Sequence, residues 1–193
     1  ICPGRVETPF VAARLKEYPD PEKAYREMAE TQALGRMGRL SGTMRRYLLL
    51  GWVLAGLARV LEAMPADDPY RPRFEKLFRE MAPKVAAIKD TDGYWKSNLL
   101  DPKSTPRPET SGTAFFVYGL AWGVNHGLLD RAQYEPVIRK GWSALVRAVH
   151  PDGKLGWVQM IGDQPGDTST DGTEIYGVGA FLLAGTEVQK LSK

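Results

Sequence analysis

The chain has 193 residues, of which 43% are hydrophobic, so it can bury a substantial core and is not expected to be disordered. Its 26 basic and 23 acidic side chains leave a net charge of +3, which gives no overall electrostatic attraction to nucleic acid. A single cysteine, Cys2, excludes an intrachain disulfide framework. The longest apolar run, Tyr47–Ala58, is shorter than the roughly 20 residues that cross a bilayer, so no membrane partner is expected.

The predicted elements are helices of two kinds that alternate along the chain. The first, Pro21–Gly38, has Asp20 as its N-cap and Pro21 at its first position. Two segments place apolar residues at spacings of three and four, which predicts amphipathic helices at Arg71–Ile88 and Gln133–Val149. Three segments are apolar almost all round, which is typical of buried helices: Gly51–Ala63, Ser111–Leu129 and Glu174–Leu191.

Two long loops, residues 89–108 and 150–171, separate these helices, and each has an Asp-Gly turn followed shortly by a Trp. The two Asp-Gly turns are 60 positions apart. Glu109 and Glu174, which open two of the apolar helices, are 65 positions apart. The sequence therefore predicts an internal repeat of an amphipathic helix, a loop and a buried helix.

Buried helices that alternate with half-exposed ones predict two concentric layers, that is, an all-α fold of the (α/α)6-barrel type, also called a six-hairpin toroid. A ring of six such repeats, each of about 60 residues, needs on the order of 360 residues, so the chain supplies about half of one. We therefore predict a partial toroid that forms a single domain over residues 1–193. Residues 1–46 form its less defined N-terminal part, and residues 47–193 hold the helical repeats.

Four segments, in order, resemble the C-terminal half of glycoside hydrolase family 105, the unsaturated rhamnogalacturonyl and related uronyl hydrolases. They are Gly51–Pro65, Glu109–Asp130, Pro151–Asp163 and Thr173–Val188. The resemblance implies an (α/α)6 barrel that removes 4,5-unsaturated uronic acid from the acidic oligosaccharides made by pectin-type and other lyases. In that scheme an Asp protonates and hydrates the enol ether double bond, the hemiketal opens, and no metal or organic cofactor takes part.

The sequence departs from the family pattern at two places. The Arg36–Gly42 stretch, RMGRLSG, is similar to the segment that follows the catalytic Asp, but the stretch KAYREMAETQ ahead of it contains no Asp. Glu27 could substitute in principle, although a Glu in a mixed-charge helical run is usually solvated surface. The family motif Trp-x-Arg-Gly-x-Gly-Trp is replaced by RRYLLLGW, so its arginine has no counterpart. The catalytic residue is therefore unknown from the sequence.

Three tryptophans are candidates for contact with a sugar. Trp52 matches the last Trp of the family motif, and the resemblance implies a platform for a sugar ring, since aromatic faces pack against the apolar faces of pyranosides. Trp95 and Trp157 follow the two Asp-Gly turns, where loop aromatics can line a glycan cleft. The alternative for Trp52 is a core position, and the alternative for the other two is a cover over the rim of the core.

The residues Glu109, Thr110 and Ser111 open a predicted inner helix and are candidates for substrate binding. Free backbone N–H groups at a helix start, together with small hydroxyls, suit a carboxylate ligand. The alternative is ordinary capping by Thr110 or Ser111. Glu174 and Tyr176 occupy the matching place in the next repeat, so a shared structural role explains these positions equally well.

The remaining predictions concern other ligands and other functions. His126 is interpreted as a helix C-cap before Gly127. No cluster of His, Cys or carboxylates has metal-ligand spacing, so neither a metal nor another cofactor is expected. The first alternative to a hydrolase is an inactive or partial toroid that binds acidic glycans or acts as a scaffold, and the second is a lyase or epimerase on the same fold. The sequence leaves the oligomeric state and the compartment open, with the cytoplasm favoured over periplasm or secretion.

Overall fold

The computed structural model describes residues 6–7, 15–16, 18–30, 38–39, 49–99, 101–160 and 166–192. The chain separates into two compact units, residues 1–45 and residues 46–193. The organisation as a single domain stays a prediction.

The first unit contains a ten-residue helix and a short pair of strands among its described residues. Helix α1 is Pro21–Glu30, and the parallel strands are β1, Val6–Glu7, and β2, Gly38–Arg39. The amide of Lys23 donates to Asp20 Oδ1 over 3.0 Å, as expected where an Asp caps a helix that begins with proline. The predicted extension of this helix to Gly38 is wrong, because Gly38 lies in β2.

The second unit is built from helices whose bounds agree with the predicted ones to within a few residues. They are α2, Leu49–Ala63; α3, Arg71–Ala87; α4, Thr110–Asn125; α5, Arg131–Arg147; and α6, Ile175–Lys190. The largest difference is at the end of α4, which stops before the predicted Leu129. His126 is the C-cap of this helix, as predicted, and Gly127 takes a left-handed φ of 69° that ends it.

These helices form the two layers that the repeat predicted. Helix α4 packs against α2, α5 and α6, and α3 packs on α2. The apolar helices α2, α4 and α6 therefore make the inner layer, and the amphipathic α3 and α5 cover it, with Phe78 and Ile138 among their buried residues. Small residues let the backbones approach, since a Cβ on Gly119 would lie 2.8 Å from Leu54 Cγ. The helices are thus part of an (α/α) toroid, as predicted.

The inner layer has a fully buried centre and two partly exposed edges. Nearly every residue of α4 is buried, whereas α2 and α6 each have α4 on one side and keep large apolar side chains in solvent. These exposed side chains are Trp52, Val53 and Val60 on α2, and Ile175, Val178 and Leu182 on α6. The prediction that α2 and α6 are buried almost all round is therefore wrong for their outer faces.

The two Asp-Gly turns have the same local structure, which confirms the internal repeat. Gly93 and Gly153 adopt left-handed φ values of 98° and 87°. In each turn the aspartate side chain accepts from the amide two residues later: Asp92 from Tyr94 over 3.0 Å, and Asp152 from Lys154 over 3.1 Å.

Candidate functional site

The first turn of α4 is closed by the carboxylate of Glu109, which is completely buried. Its Oε1 accepts from the amide of Ser111 over 2.9 Å and from the hydroxyl of Ser111 over 2.7 Å, and its Oε2 accepts from the amide of Gly112 over 2.7 Å. The prediction that Thr110 or Ser111 is the N-cap is therefore wrong, because the N-cap residue is Glu109. A glutamate reaches both free amides at once, and the serine hydroxyl becomes a further donor to it.

Burial raises the pKa of Glu109, because a carboxylate without water is less stable in its charged form. The hydrogen bonds from the Ser111 hydroxyl and from the amides of Gly112, Ser111 and Gln159 act in the opposite direction and only partly offset the burial. The donors around Glu109 therefore satisfy its buried side chain as an acceptor, while burial favours its neutral form.

The same helix start is joined to the loop of residues 156–159. The amide of Thr110 donates to the carbonyl of Trp157 over 3.0 Å, and the Thr110 hydroxyl donates to the carbonyl of Gly156 over 2.8 Å. The amide of Gln159 donates to Glu109 Oε1 over 3.3 Å. The loop therefore covers the entrance of α4 and satisfies backbone groups that the helix leaves open.

Trp157 sits in this loop in an unusual backbone conformation. Its φ is 61°, and a left-handed conformation at a non-glycine residue costs on the order of 1–3 kcal/mol. The Trp157 amide donates to the carbonyl of Ser169 over 3.1 Å, and the next amide, of Val158, donates to the carbonyl of Gly172 over 2.9 Å. The half-buried Trp157 side chain packs on the small cluster of Ala148, Leu155 and Val158.

An aromatic cluster lies where the starts of the three inner helices meet. The ring of Trp52 is 4.4 Å from the ring of Phe115 and 5.8 Å from the ring of Tyr176, centroid to centroid. Trp52 remains 38% exposed, so part of its indole faces solvent. The hydroxyl of Tyr176 donates to the carbonyl of Gln159, which links the aromatic cluster to the loop.

The predicted site residues thus lie in one connected region. Trp52 touches Tyr176, Tyr176 bonds the loop that carries Trp157, and that loop bonds Glu109 and Thr110. Ser111 joins the region through Glu109. Their direct roles in substrate binding stay predictions. The side chains of Glu109, Thr110 and Ser111 are buried, which leaves Trp52 as the most exposed of the predicted residues.

Two residues of this region carried little signal in the sequence. Tyr176 was noted only as the counterpart of Ser111 in the repeat, and Gln159 was not singled out as a candidate. The pKa of Tyr176 is raised to about 12, first by burial and then by the nearby carboxylates of Glu109 and Glu174. Its hydroxyl therefore keeps its proton at ordinary pH. The available signals are positional: Tyr176 lies within the Glu-x-x-Gly start of α6, and Gln159 lies six residues after the Asp152-Gly153 turn.

Trp95, the loop tryptophan of the first repeat, belongs to the core. It is 1% exposed, and its indole Nε1 donates to the carbonyl of Val85 over 2.8 Å. Its amide donates to the hydroxyl of Thr113 over 3.0 Å. Trp95 was interpreted either as a glycan contact or as a cover over the rim of the core, and the structure favours the second interpretation.

Three glutamates considered for the chemistry or the helix starts have different surroundings. Glu27 lies in α1, but its side chain is outside the described residues. Glu174 is half-buried and precedes α6, and its side chain makes no capping hydrogen bond. Glu109 is the N-cap described above.

Metal-ion sites and membrane-spanning helices are both absent from the part of the chain that the structure describes. No group of three or more His, Cys, Asp or Glu side chains in the described ranges is arranged to hold a metal ion. Among the same residues, no helix is long and apolar enough to cross a membrane.

Comparison with known proteins places these features in a family of carbohydrate-active enzymes. A curated relative from Formosa agariphila, named unsaturated 3S-rhamnoglycuronyl hydrolase, is 48% identical over 143 residues, which is 74% of this chain and 38% of the relative. A solved structure described as a polysaccharide lyase is 51% identical, with a TM-score of 0.70 over 74% of this chain and 42% of its own. The chain thus spans about four-tenths of the length of these proteins.

A solved structure from Salmonella enterica, described as a possible member of the GH105 family, shares the fold at 22% identity, with a TM-score of 0.64 over 77% of this chain and 40% of its own. The predicted resemblance to the unsaturated uronyl hydrolases is confirmed by the family model and by the curated relative. The family model of Glycosyl Hydrolase Family 88 matches residues 50–192. The chain belongs to Glycosyl Hydrolase Family 88.

Proposed function

We propose that this chain is part of an unsaturated uronyl hydrolase, an enzyme that removes a 4,5-unsaturated uronic acid from acidic oligosaccharides released by lyases. Family membership and the 48% identity to an unsaturated 3S-rhamnoglycuronyl hydrolase support this activity. The observation that carries the assignment to a site is the exposed face of Trp52, beside Tyr176 and at the start of the inner helices. The substrate is an acidic oligosaccharide.

The proposed sugar platform is the indole of Trp52. Pyranose rings have an apolar face of C–H groups that packs on an aromatic surface. Phe115 supports the indole from one side over 4.4 Å and Tyr176 from another over 5.8 Å, so the platform is held in place before a ligand arrives. A wall that is already ordered binds with a smaller loss of conformational entropy.

Glu109, Thr110, Ser111 and Trp157 are assigned to the same site as its supporting wall. Their contacts fix the loop of residues 156–159 on the start of α4. The buried Glu109 is engaged by three groups of its own helix start and by the amide of Gln159, so it acts as a structural acceptor in this proposal and not as the proton donor. In this proposal the described contacts supply sugar binding, and the acid that hydrates the double bond is a group other than Glu109.

The proposal is tested by following the ultraviolet absorbance of the conjugated double bond in lyase-generated unsaturated disaccharides. Hydration removes this absorbance, so the wild-type chain should cause it to fall. Titration of the same disaccharides by calorimetry measures binding separately. No change of absorbance at any pH from acid to neutral, combined with no binding, contradicts the proposal.

Trp52→Ala is the variant that tests the platform. Loss of one aromatic contact worth about 1.5 kcal/mol weakens affinity roughly tenfold. Val60→Ala is the matched control, since Val60 is an exposed apolar residue two turns further along the same helix and away from the aromatic cluster. Equal affinity of Trp52→Ala and Val60→Ala would remove Trp52 from the site.

The second candidate function is a glycan-binding partial toroid without catalysis. The exposed indole of Trp52 is compatible with it, because an aromatic sugar platform needs no acid beside it. Binding of the disaccharide without loss of its absorbance distinguishes this candidate from the hydrolase.

A further inference from the structure

One side chain connects the two walls of the proposed sugar site. The ring of Tyr176 lies 5.8 Å from the ring of Trp52, and the hydroxyl at its other end donates to the carbonyl of Gln159. Tyr176 is in the first turn of α6, which is an edge helix of the inner layer. It is therefore in contact with the platform on α2 and with the loop that covers α4.

The loop needs such a contact because its backbone is held away from its preferred conformation. Trp157 has a φ of 61°, which persists only where surrounding contacts outweigh the strain. Several of those contacts come from backbone groups: Thr110 N–H to Trp157, Trp157 N–H to Ser169, and Val158 N–H to Gly172. The bond from Tyr176 is provided by a side chain of α6 and acts at Gln159, two residues after the strained position.

We propose that Tyr176 is a positioning residue that sets the loop carrying Trp157 at a fixed distance from the Trp52 platform. The inference rests on the proposed function, since it concerns the saccharide site assigned there. Tyr176 acts on the substrate through the loop and the platform. A saccharide then binds between the platform and the loop, whose separation is already set. Its affinity is not reduced by an entropy cost of ordering the loop.

The hydroxyl of Tyr176 is suited to this role over the whole range of ordinary pH. Burial, together with the carboxylates of Glu109 and Glu174, raises its pKa to about 12, so the group remains a donor. The carbonyl of Gln159 is an acceptor at every pH. The protonation state that this hydrogen bond requires therefore does not change over the pH range of the assay.

The test compares two substitutions that each remove a tyrosine hydroxyl bonded to a backbone carbonyl. Tyr176→Phe removes the bond to Gln159 and keeps the ring beside Trp52. Tyr94→Phe is the matched control, because the buried hydroxyl of Tyr94 donates to the carbonyl of Ala144 over 2.7 Å in the loop region of the first repeat. Both variants should lose a similar amount of thermal stability.

Two readouts separate positioning from simple stabilisation. In the absence of ligand, we expect amide hydrogen exchange at residues 157–159 to be about five- to tenfold faster in Tyr176→Phe, as the loss of one hydrogen bond implies, and unchanged in Tyr94→Phe. The Kd for an unsaturated uronyl disaccharide should rise by a similar factor in Tyr176→Phe alone.

The outcomes distinguish the inference from the function on which it rests. Exchange in Tyr176→Phe equal to that of the wild type overturns the positioning role, and so does faster exchange with an unchanged Kd. A wild-type chain that binds no unsaturated uronide overturns the proposed function. In that case the exchange data still decide whether Tyr176 orders the loop.

Discussion

The two repeats of the helical unit begin with the same signals and use them differently. Each has an Asp-Gly turn, a loop tryptophan and a Glu-x-x-Gly helix start. In the first repeat, Trp95 is in the core and Glu109 is a completely buried cap. In the second, Trp157 is half-buried with a left-handed backbone, and Glu174 makes no capping bond.

The difference follows from the neighbours of each helix. Helix α4 lies between α2 and α6, and the loop of residues 156–159 closes its start, so Glu109 has donors on several sides. Helix α6 is at an edge, and Ile175 at its start is 91% exposed. The same motif thus caps the helix in the centre of the layer and makes no capping bond at the start of α6.

The sharpest test of this contrast replaces each glutamate by alanine. Glu109→Ala leaves the amides of Ser111 and Gly112 buried without an acceptor, so we expect the free energy of unfolding to fall by about 2–4 kcal/mol. Glu174→Ala removes no capping bond and should change it by less than about 0.5 kcal/mol. Urea denaturation measures both values. A similar loss of unfolding free energy in the two variants would contradict the conclusion that Glu109 caps its helix and Glu174 does not.

A second comparison uses the glycines of the two turns. Both have left-handed φ values, so alanine costs about 1–2 kcal/mol at either position. At Gly93 a Cβ would also lie 2.8 Å from the carbonyl oxygen of Lys140, whereas at Gly153 it would meet open space. We expect Gly93→Ala to lower the free energy of unfolding by about 2–3 kcal/mol and Gly153→Ala by about 1 kcal/mol. A free energy of unfolding that is lower for Gly153→Ala than for Gly93→Ala would show that the turns are packed differently from this description.

The smallest effect is the pH dependence that Glu109 brings. Burial raises its pKa above the ordinary 4.5, so the folded chain holds the proton more tightly than the unfolded chain. The stability that this proton contributes is fully present at pH values below the ordinary pKa of 4.5. It is lost as the pH rises through the raised pKa of the folded state. Glu109→Gln cannot lose a proton. The stability of the wild type relative to Glu109→Gln should therefore decrease from acid towards neutral pH, and a relative increase would reverse the assigned direction.

The helices, their layers and the repeat could be predicted from the sequence because they depend on spacing that is local to each segment. Arg71–Ile88 was found from apolar residues three and four apart, and the two turns from Asp-Gly pairs. The exposure of Trp52 and Leu182 could not be predicted in this way. It depends on which helices flank α2 and α6, and an apolar helix at the edge of a layer has the same composition as one at its centre.

The candidate site residues follow from the sequence, but the contacts that join them do not. The resemblance indicated Trp52, and the helix start indicated Glu109, Thr110 and Ser111. The bond from Tyr176 to Gln159 joins residues 17 positions apart across a loop, and no spacing rule connects a tyrosine hydroxyl with a particular carbonyl. The capping by Glu109 was missed because glutamate is not among the usual N-cap residues.

The most direct test of the saccharide site is amide hydrogen exchange of the wild-type chain with and without an unsaturated uronyl disaccharide. We predict slower exchange at residues 157–159 and at the first turn of α6 on addition of the sugar. Residues 93–97, the equivalent segment of the first repeat, should exchange at the same rate in both conditions. Protection of residues 93–97, or no protection at residues 157–159, would contradict the placement of the site at the edge of the inner layer.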